Sequence, residues 1–322
     1  MKTFPMFLQV AGRTVLILGG GEQAAQKCRL LLKTEARITV QAAELDPELS
    51  ELAARGRIRH DPSAPTAGAC AEAAIVFIAT GEEARDRELH ALAKSVRALV
   101  NVVDQPALCD AYTPSIVDRD PLVVAIGSEG NAPILARQVK TRVEEMLEPR
   151  LGDLVALAGR LRGAVAEGVP PERRRDFWRW VFTGAPRQRH AAGAEREAAR
   201  LVKEAIAAGG APGTQGAGLL SLVPTTADRN HLTLQAVQRL QEADLILYSA
   251  EIGTAPLELA RRDAARMALD GPLAPADPAA QVAGALAEGA RVAVLVTPRS
   301  DIARLLAAAG EAQIEHLAGV AA

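Results

Sequence analysis

Three short stretches carry residue types that could do chemistry together. The first is Thr14-Val-Leu-Ile-Leu-Gly-Gly-Gly-Glu-Gln-Ala-Ala-Gln-Lys27, where an apolar run enters three glycines and leaves through a helical pattern. Gly19, Gly21 and Ala24 fill a G-x-G-x-x-G/A frame. In such a frame one glycine permits the turn, another lets backbone approach a pyrophosphate, and the small third residue lets helix and strand pack closely. The helix that starts there aims unpaired N–H groups and a positive dipole end at the phosphates. The second stretch is Leu99-Val-Asn-Val-Val-Asp104, an apolar run that ends in a carboxylate. At the mouth of a nicotinamide crevice a carboxylate can accept a proton as hydride leaves. An Asp just ahead of Pro106 can equally cap a turn, and the residues alone leave both readings open. The third is Gly127-Ser-Glu-Gly-Asn-Ala-Pro133, where Ser128 and Asn131 precede a helix that Pro133 opens. Hydroxyl, amide and helix N-terminus suit an anionic ligand group, and they suit plain turn chemistry as well.

These stretches need a scaffold, and residues 1–113 supply one by alternating strand and helix. Strands are expected at Val15–Leu18, Ile38–Gln41, Ile58–His60, Ile75–Ala79 and Leu99–Val103. Helical patterns run over Glu22–Lys33, Leu45–Arg55 and Glu82–Ser95. That alternation predicts a parallel sheet covered on both faces, with ligands at the carboxyl ends of its strands. Gly19–Gly21, Thr80-Gly81 and Asn101–Asp104 then converge on one edge. The second strand runs into Gln41-Ala-Ala-Glu44, so Glu44 is the acid available for ribose hydroxyls. No basic residue follows that strand to take a 2′-phosphate, which favours NAD over NADP. The expected dinucleotide contacts are Gly19, Gly20, Gly21, Glu22, Gln23, Ala43, Glu44, Thr80 and Asn101.

Beyond residue 113 the pattern changes. Two short β segments around Asp118–Pro121 precede a helix at Ile134–Leu147, and residues 151–208 read as helical throughout. Gly209-Gly-Ala-Pro-Gly-Thr-Gln-Gly-Ala217 reads as a linker. Residues 218–322 form a second α/β unit, with strands at Leu219–Val223, Leu245–Tyr248 and Val292–Val296 and helices at Thr233–Glu242 and Ile302–Ala309.

Composition narrows the function classes. Hydrophobic residues make up 49% of the 322, but aromatics only 3%, so the cores must be built from Leu, Val, Ile and Ala. A net charge of −2 gives no global basic footprint for nucleic acid. No apolar run is long enough to span a membrane or serve as a signal segment, so no membrane partner is expected. Cys28, Cys70 and Cys109 are scattered and odd in number, which fits a reducing cytoplasm rather than a disulfide framework. Cys109 lies close to Asp104 but has no sequence-adjacent His, so it reads as a small filler. Arg173, Arg174, Arg175 and Arg179 read more readily as a solvated basic face than as ligands for carboxylates. His190 is a weak candidate for metal handling.

Taken in order, these pieces resemble the precorrin-2 dehydrogenase/ferrochelatase module of siroheme synthases. The resemblance rests on Phe4-Pro-Met-Phe7, the glycine turn with Lys27, Asn101-Val-Val-Asp104, Pro114-Ser-Ile-Val-Asp118, Val124 to Arg137 with its Pro133-Ile-Leu-Ala-Arg137 helix start, and Arg173-Arg-Arg-Asp-Phe-Trp178. Glu129 and Ala132 stand where that family usually has glycine and serine. The resemblance implies NAD-dependent oxidation of precorrin-2 to sirohydrochlorin, followed by insertion of ferrous iron. It implies Asp104 as the acid/base group and as a transient metal contact, Ser128, Asn131 and Pro133 at the substrate, and a homodimer. The implied architecture is an α/β Rossmann domain (1–113), a small α+β dimerisation segment (114–150), a helical domain (151–208), a linker (209–217) and a last α/β lobe.

That last lobe, residues 218–322, is similar to the first lobe of tetrapyrrole methyltransferases, through Leu232-Thr-Leu234 and Ala243-Asp-Leu-Ile-Leu-Tyr248. The glycine loops of that family are here Val223-Pro-Thr-Thr-Ala-Asp228 and Thr297-Pro-Arg-Ser-Asp301. Without those glycines, backbone cannot approach S-adenosylmethionine closely. The lobe is therefore expected to be degenerate and without methyltransferase activity.

Overall fold

The computed structural model describes residues 2–212, 218–226, 228–297 and 302–319. Residues 213–217 of the expected linker, Ala227, and residues 298–301 of the second loop lie outside the described residues. The chain divides into two compact units, Met1–Ala156 and Leu157–Ala322.

The first unit opens with β1 (Thr14–Leu18), α1 (Glu22–Leu31), β2 (Arg37–Gln41), α2 (Pro47–Ala54) and β3 (Arg59–Asp61). It continues with α3 (Ala67–Glu72), β4 (Ile75–Ile78), α4 (Glu83–Ser95) and β5 (Val100–Val102). The strands form one sheet in the order β3-β2-β1-β4-β5, every pair parallel. Side chains of β1 alternate between two cores. Val15 and Ile17 pack with Ala24, Ala25 and Cys28 of α1, while Leu16 and Leu18 pack with Val76, Ile78, Leu89 and Val100. Burial on both faces is why β1 and β4 read as unbroken apolar runs rather than alternating ones. Each buried Leu or Ile contributes about 1.5–3 kcal/mol, so β1 anchors both layers. Register sets Leu18 beside Gln41 and Ile78, and Ile78 beside Val102. The strand order reverses on either side of β1, and the loops after these four residues leave the sheet along one edge.

An antiparallel hairpin follows, β6 (Ser115–Arg119) with β7 (Leu122–Ile126), then α5 (Pro133–Met146). α6 (Leu151–Gly168), α7 (Pro171–Thr183), α8 (Ala185–Ala191) and α9 (Glu195–Ala207) make up the helical stretch. Phe177 is fully buried within α7, with the Trp178 ring edge-on at 5.2 Å.

The second unit then builds its own sheet. Its elements are β8 (Leu219–Pro224), α10 (Leu234–Glu242), β9 (Leu245–Tyr248), β10 (Ala265–Ala268), α11 (Pro278–Ala287), β11 (Arg291–Val296), α12 (Ala303–Ala308) and β12 (Gln313–His316). All five strands are parallel, in the order β10-β9-β11-β8-β12. Sequence patterning misses β10, α11 and β12. Ala265-Arg-Met-Ala268 and Gln313-Ile-Glu-His316 are edge strands with little apolar content, and α11 is so rich in Ala that its pattern carries little contrast.

Arg173 is exposed as expected, but Arg174, Arg175 and Arg179 of α7 are not a solvated face. Arg174 donates to the Val169 and Ala166 carbonyls at 2.8 and 2.6 Å, closing the end of α6. Arg175 pairs with Asp244 and donates to the Glu242 carbonyl, and Arg179 pairs with Asp176. Burial and the neighbouring Arg261 push the Arg175 guanidinium down to about 10. His190 is buried in α8. Among the described residues no helix is long and apolar enough to cross a membrane.

Candidate active site

The three glycines after β1 have different surroundings. Gly19 has φ +128°, and its N–H donates to the Gln41 carbonyl at 3.1 Å. A Cβ there would overlap the Ala79 carbonyl, and a Cβ on Gly20 would overlap the Glu44 carbonyl. Around Gly21 a Cβ would meet nothing within 4 Å. Gly19 and Gly20 therefore let the turn press against the ends of β4 and β2, and Gly21 keeps a face open. Gly21 is also the N-cap of α1, and no side chain caps that helix. The free N–H groups and the dipole end of α1 thus fit a pyrophosphate. Ala24, the third small residue, is fully buried against the sheet.

The strand ends beside this turn carry polar and ionisable side chains. Asp104 follows β5 in the left-handed region, at φ +58°, and is exposed. Gln23, from the first turn of α1, donates to Asp104 Oδ2 at 3.2 Å. Lys27 lies one helical turn further along α1. Burial lowers the pKa of its ammonium, and the negative charge of Asp104 opposes that shift. Thr80 closes β4 with its N–H and hydroxyl on Asp86 Oδ1, at 3.1 and 2.6 Å. Asn101 is buried in β5. Its Nδ2 donates to the Ala111 carbonyl at 2.8 Å, and its Oδ1 is buried with no hydrogen-bond partner. Cys109 Sγ accepts from the Val102 N–H at 3.2 Å, and burial pushes its thiol pKa up. It packs under β5 as a filler.

The remaining expected contacts lie at the rim. Glu22 is exposed and joins Arg29 and Glu48 in an ion-pair cluster, and the hydrogen bond from Arg29 lowers its pKa. Ala43 and Glu44 are exposed after β2, with the Glu44 carbonyl under Gly20. Gln41 is buried and turns toward β3, donating to Asp61 Oδ2, Ser63 Oγ and the Ala64 carbonyl at 3.3, 3.1 and 3.3 Å. His60 reaches the Ala42 carbonyl at 2.9 Å, a neighbour of this edge that linear sequence does not show.

The Ser128 loop is a separate construction. Ser128 Oγ accepts from the Ala132 N–H at 3.2 Å, and its carbonyl from the Asn131 N–H at 2.9 Å. Pro133 opens α5, whose N-terminus has no side-chain cap. Glu129 has φ +51°, and its carboxylate receives the Lys2 and Thr3 N–H groups at 2.7 and 3.1 Å. The Thr3 N–H bond is the main cause that lowers its pKa. The hydrogen bonds from residues 2 and 3 occupy the Glu129 carboxylate. Among the described residues, no hydrogen bond or ion pair joins residues 128–133 to Asp104 or to the glycine turn, and no cluster of three or more His, Cys, Asp or Glu could hold a metal.

Sequence reasoning gave no role to Asp86 or Gln105, and it noted Lys27 only as part of a motif. Lys27 falls on the same face of α1 as Gln23, an i, i+4 spacing that could have flagged it. Asp86 gives no such signal within Glu82-Glu-Ala-Arg-Asp-Arg-Glu88.

Comparisons with known proteins agree with this geometry. Residues 6–115 match the family model of putative NAD(P)-binding domains, and residues 150–206 that of the sirohaem synthase dimerisation region. A siroheme synthase of Pseudomonas putida (strain W619) is 38% identical over 272 residues, covering 83% of this chain and 57% of that protein. One from Neisseria meningitidis serogroup C is 39% identical over 274 residues, covering 83% of this chain and 55% of its own. The chain thus spans little more than half the length of these curated relatives. A match of that share cannot fit within the residues before β8, so the similarity runs on into the second sheet. A solved precorrin-2 dehydrogenase superposes with a TM-score of 0.50 at 19% identity, over 63% of this chain and 100% of its own, and shares the fold.

The different surroundings of the glycines separate two variants. Gly20→Ala is expected to destabilise the protein by about 1–3 kcal/mol, the usual cost of overpacking, read as a lower thermal midpoint. Gly21→Ala is expected to leave that midpoint in place and weaken NAD⁺ binding about tenfold or more, read by titration, because only the open face changes.

Proposed function

Because the chain is a homologue of siroheme synthases over most of its length, we propose that it carries out their NAD-dependent step, oxidising precorrin-2 to sirohydrochlorin. We further propose that ferrous iron is a second substrate, inserted to give siroheme, and that the protein works in the cytoplasm as a homodimer. The observation that carries the reading is the Gln23–Asp104 hydrogen bond. It ties the carboxylate after β5 to the helix whose N-terminus fits the pyrophosphate. A dinucleotide held by Gly19–Gly21 would share this edge of the sheet with Asp104.

Bound there, the nicotinamide supplies the two-electron acceptor. The chain's own residues do the rest. Gly21 and the α1 N-terminus hold phosphate oxygens. The exposed Glu44 carboxylate suits ribose hydroxyls and repels a 2′-phosphate, which favours NAD. Thr80 and Asn101 line the neighbouring strand ends. Asp104 accepts the proton that leaves as precorrin-2 loses a hydride, so the substrate gives up one hydride and one proton. The same carboxylate, as a hard oxygen donor, suits ferrous iron in passing while pyrrole protons leave. Ser128, Asn131 and the uncapped α5 N-terminus suit the acetate and propionate groups of the macrocycle.

We assign residues 1–113 to the dinucleotide, 114–150 and 151–208 to dimerisation, 209–217 to a linker, and 218–322 to a lobe that does not methylate. The support for that last assignment lies at the carboxyl edge of the second sheet, where side chains pair with each other. Ser249 Oγ donates to Asp270 at 2.5 Å, Thr297 Oγ1 to Glu251 at 2.6 Å, and Thr226 Oγ1 lies 2.9 Å from His231 Nδ1. Pro224 and Thr225 stand where a glycine loop would let adenosylmethionine approach.

Asp104→Asn is expected to keep the fold and NAD⁺ binding while slowing precorrin-2 oxidation by roughly two orders of magnitude or more, the scale of lost general-base help. Turnover at the wild-type rate would remove Asp104 from the mechanism. Incubation with labelled S-adenosylmethionine and uroporphyrinogen III is expected to transfer no methyl group, and a methylated tetrapyrrole would overturn the assignment of the last lobe.

A further inference from the structure

Asp86 is a buried carboxylate that the reaction itself does not use. It lies in the first turn of α4 and is 2% exposed. The helix N-terminus favours its negative charge. Its two oxygens face two different loops. Oδ1 accepts the Thr80 N–H and hydroxyl at 3.1 and 2.6 Å, and Oδ2 accepts Gln105 Nε2 at 3.2 Å. Thr80 ends β4 beside the glycine turn, and Gln105 directly follows Asp104. From the other side Gln23 reaches Asp104, and a Cβ on Gly81 would lie 4.0 Å from Gln23 Oε1. Gln23, Asp104, Gln105, Asp86 and Thr80 thus form a chain of bonded or adjacent residues along this edge of the sheet, with Gly81 next to its Thr80 end.

We propose that Asp86 is a positioning residue that holds the cofactor-side loop at Thr80 and the proton-accepting turn at Asp104 in one fixed geometry. The inference rests on the proposed dehydrogenase reading. A buried carboxylate with three donors is costly to leave half-satisfied, so neither loop can move without breaking bonds to Asp86. Asp104 occupies the left-handed region, where a non-glycine residue needs its neighbours to keep it in place. Gln105 is that neighbour, and Asp86 holds Gln105. Asparagine can do the same work. Its Oδ1 accepts both Thr80 donors, and its amide donates to Gln105 once the Gln105 amide turns over. Alanine cannot.

The test is steady-state kinetics of NADH formation by the full-length protein with precorrin-2, together with NAD⁺ binding titrations made without precorrin-2. Asp86→Ala is expected to raise KM for NAD⁺ and lower kcat, each about tenfold, the size of one or two lost buried hydrogen bonds. Asp86→Asn is expected to recover most of both. Gln105→Leu, which cuts only the arm toward Asp104, is expected to lower kcat with a much smaller effect on KM. Full activity in Asp86→Ala would overturn the proposal. So would an equal loss in all three variants with KM unmoved, the pattern of a smaller folded fraction. If Asp86→Ala does not fold, the split between kcat and KM in Gln105→Leu decides, and its absence counts against the proposal. If wild-type protein forms no NADH from precorrin-2, the dehydrogenase reading fails instead. Weaker NAD⁺ binding by Asp86→Ala would then still support the Thr80 arm, and unchanged binding would overturn it.

Discussion

Two backbone carbonyls, those of Ala79 and Glu44, leave no room for a side chain on the turn that follows β1. The site depends on this close approach. Because Gly19 and Gly20 can press against the ends of β4 and β2, α1 begins directly over the point where the strand order reverses. Its uncapped N-terminus then faces the edge where all the strands end. Gln23, two residues into the helix, comes within hydrogen-bond distance of Asp104 on β5's far loop. A bulkier turn would move α1 outward and separate the phosphate end of the site from its carboxylate. The place of Asp104 beside α1 is thus set by packing between backbones some distance from it.

The second sheet shows what the same parallel architecture does without that constraint. Its strands also align their carboxyl ends, and its core is as apolar, with Leu220, Ile246, Leu247 and Val294 fully buried. The loop after β8 carries Pro224 and Thr225 where the first sheet has glycines. Polar side chains along that edge pair across strands, Ser249 with Asp270 and Glu251 with Thr297. An edge whose donors and acceptors already satisfy each other offers little to a ligand. We read this lobe as one whose cores hold the fold together without a glycine turn to draw backbone up to a cofactor.

Much of the first sheet was legible in the sequence because both faces of its strands are buried. Val15–Leu18 and Ile75–Ile78 appear as solid apolar runs, and the glycine frame marks where the first one turns. Other parts were hidden for physical reasons. α3 is six residues long, too short to show a period. β12 alternates polar and apolar residues at an edge, as an exposed loop also can. Asp86 sits among charged residues that look like a solvated face, and only the tertiary fold shows that this one points inward. Arg174, Arg175 and Arg179 of α7 escape sequence reading for the opposite reason. Clustered positive charge looks like surface, but Arg175 meets Asp244, which lies far along the chain. Glu22, Ala43 and Glu44 are exposed beside the glycine turn, a placement that linear spacing conveys only roughly.

We propose that the glycine turn and Asp104 form one crevice in which a nicotinamide dinucleotide takes a hydride from precorrin-2. The most direct measurement is anaerobic incubation of the purified wild-type protein with precorrin-2 and NAD⁺, following NADH and the tetrapyrrole spectrum together. NADH and sirohydrochlorin are expected to appear in equal amounts and at the same rate. A folded protein that binds NAD⁺ and precorrin-2 yet forms no NADH would contradict it.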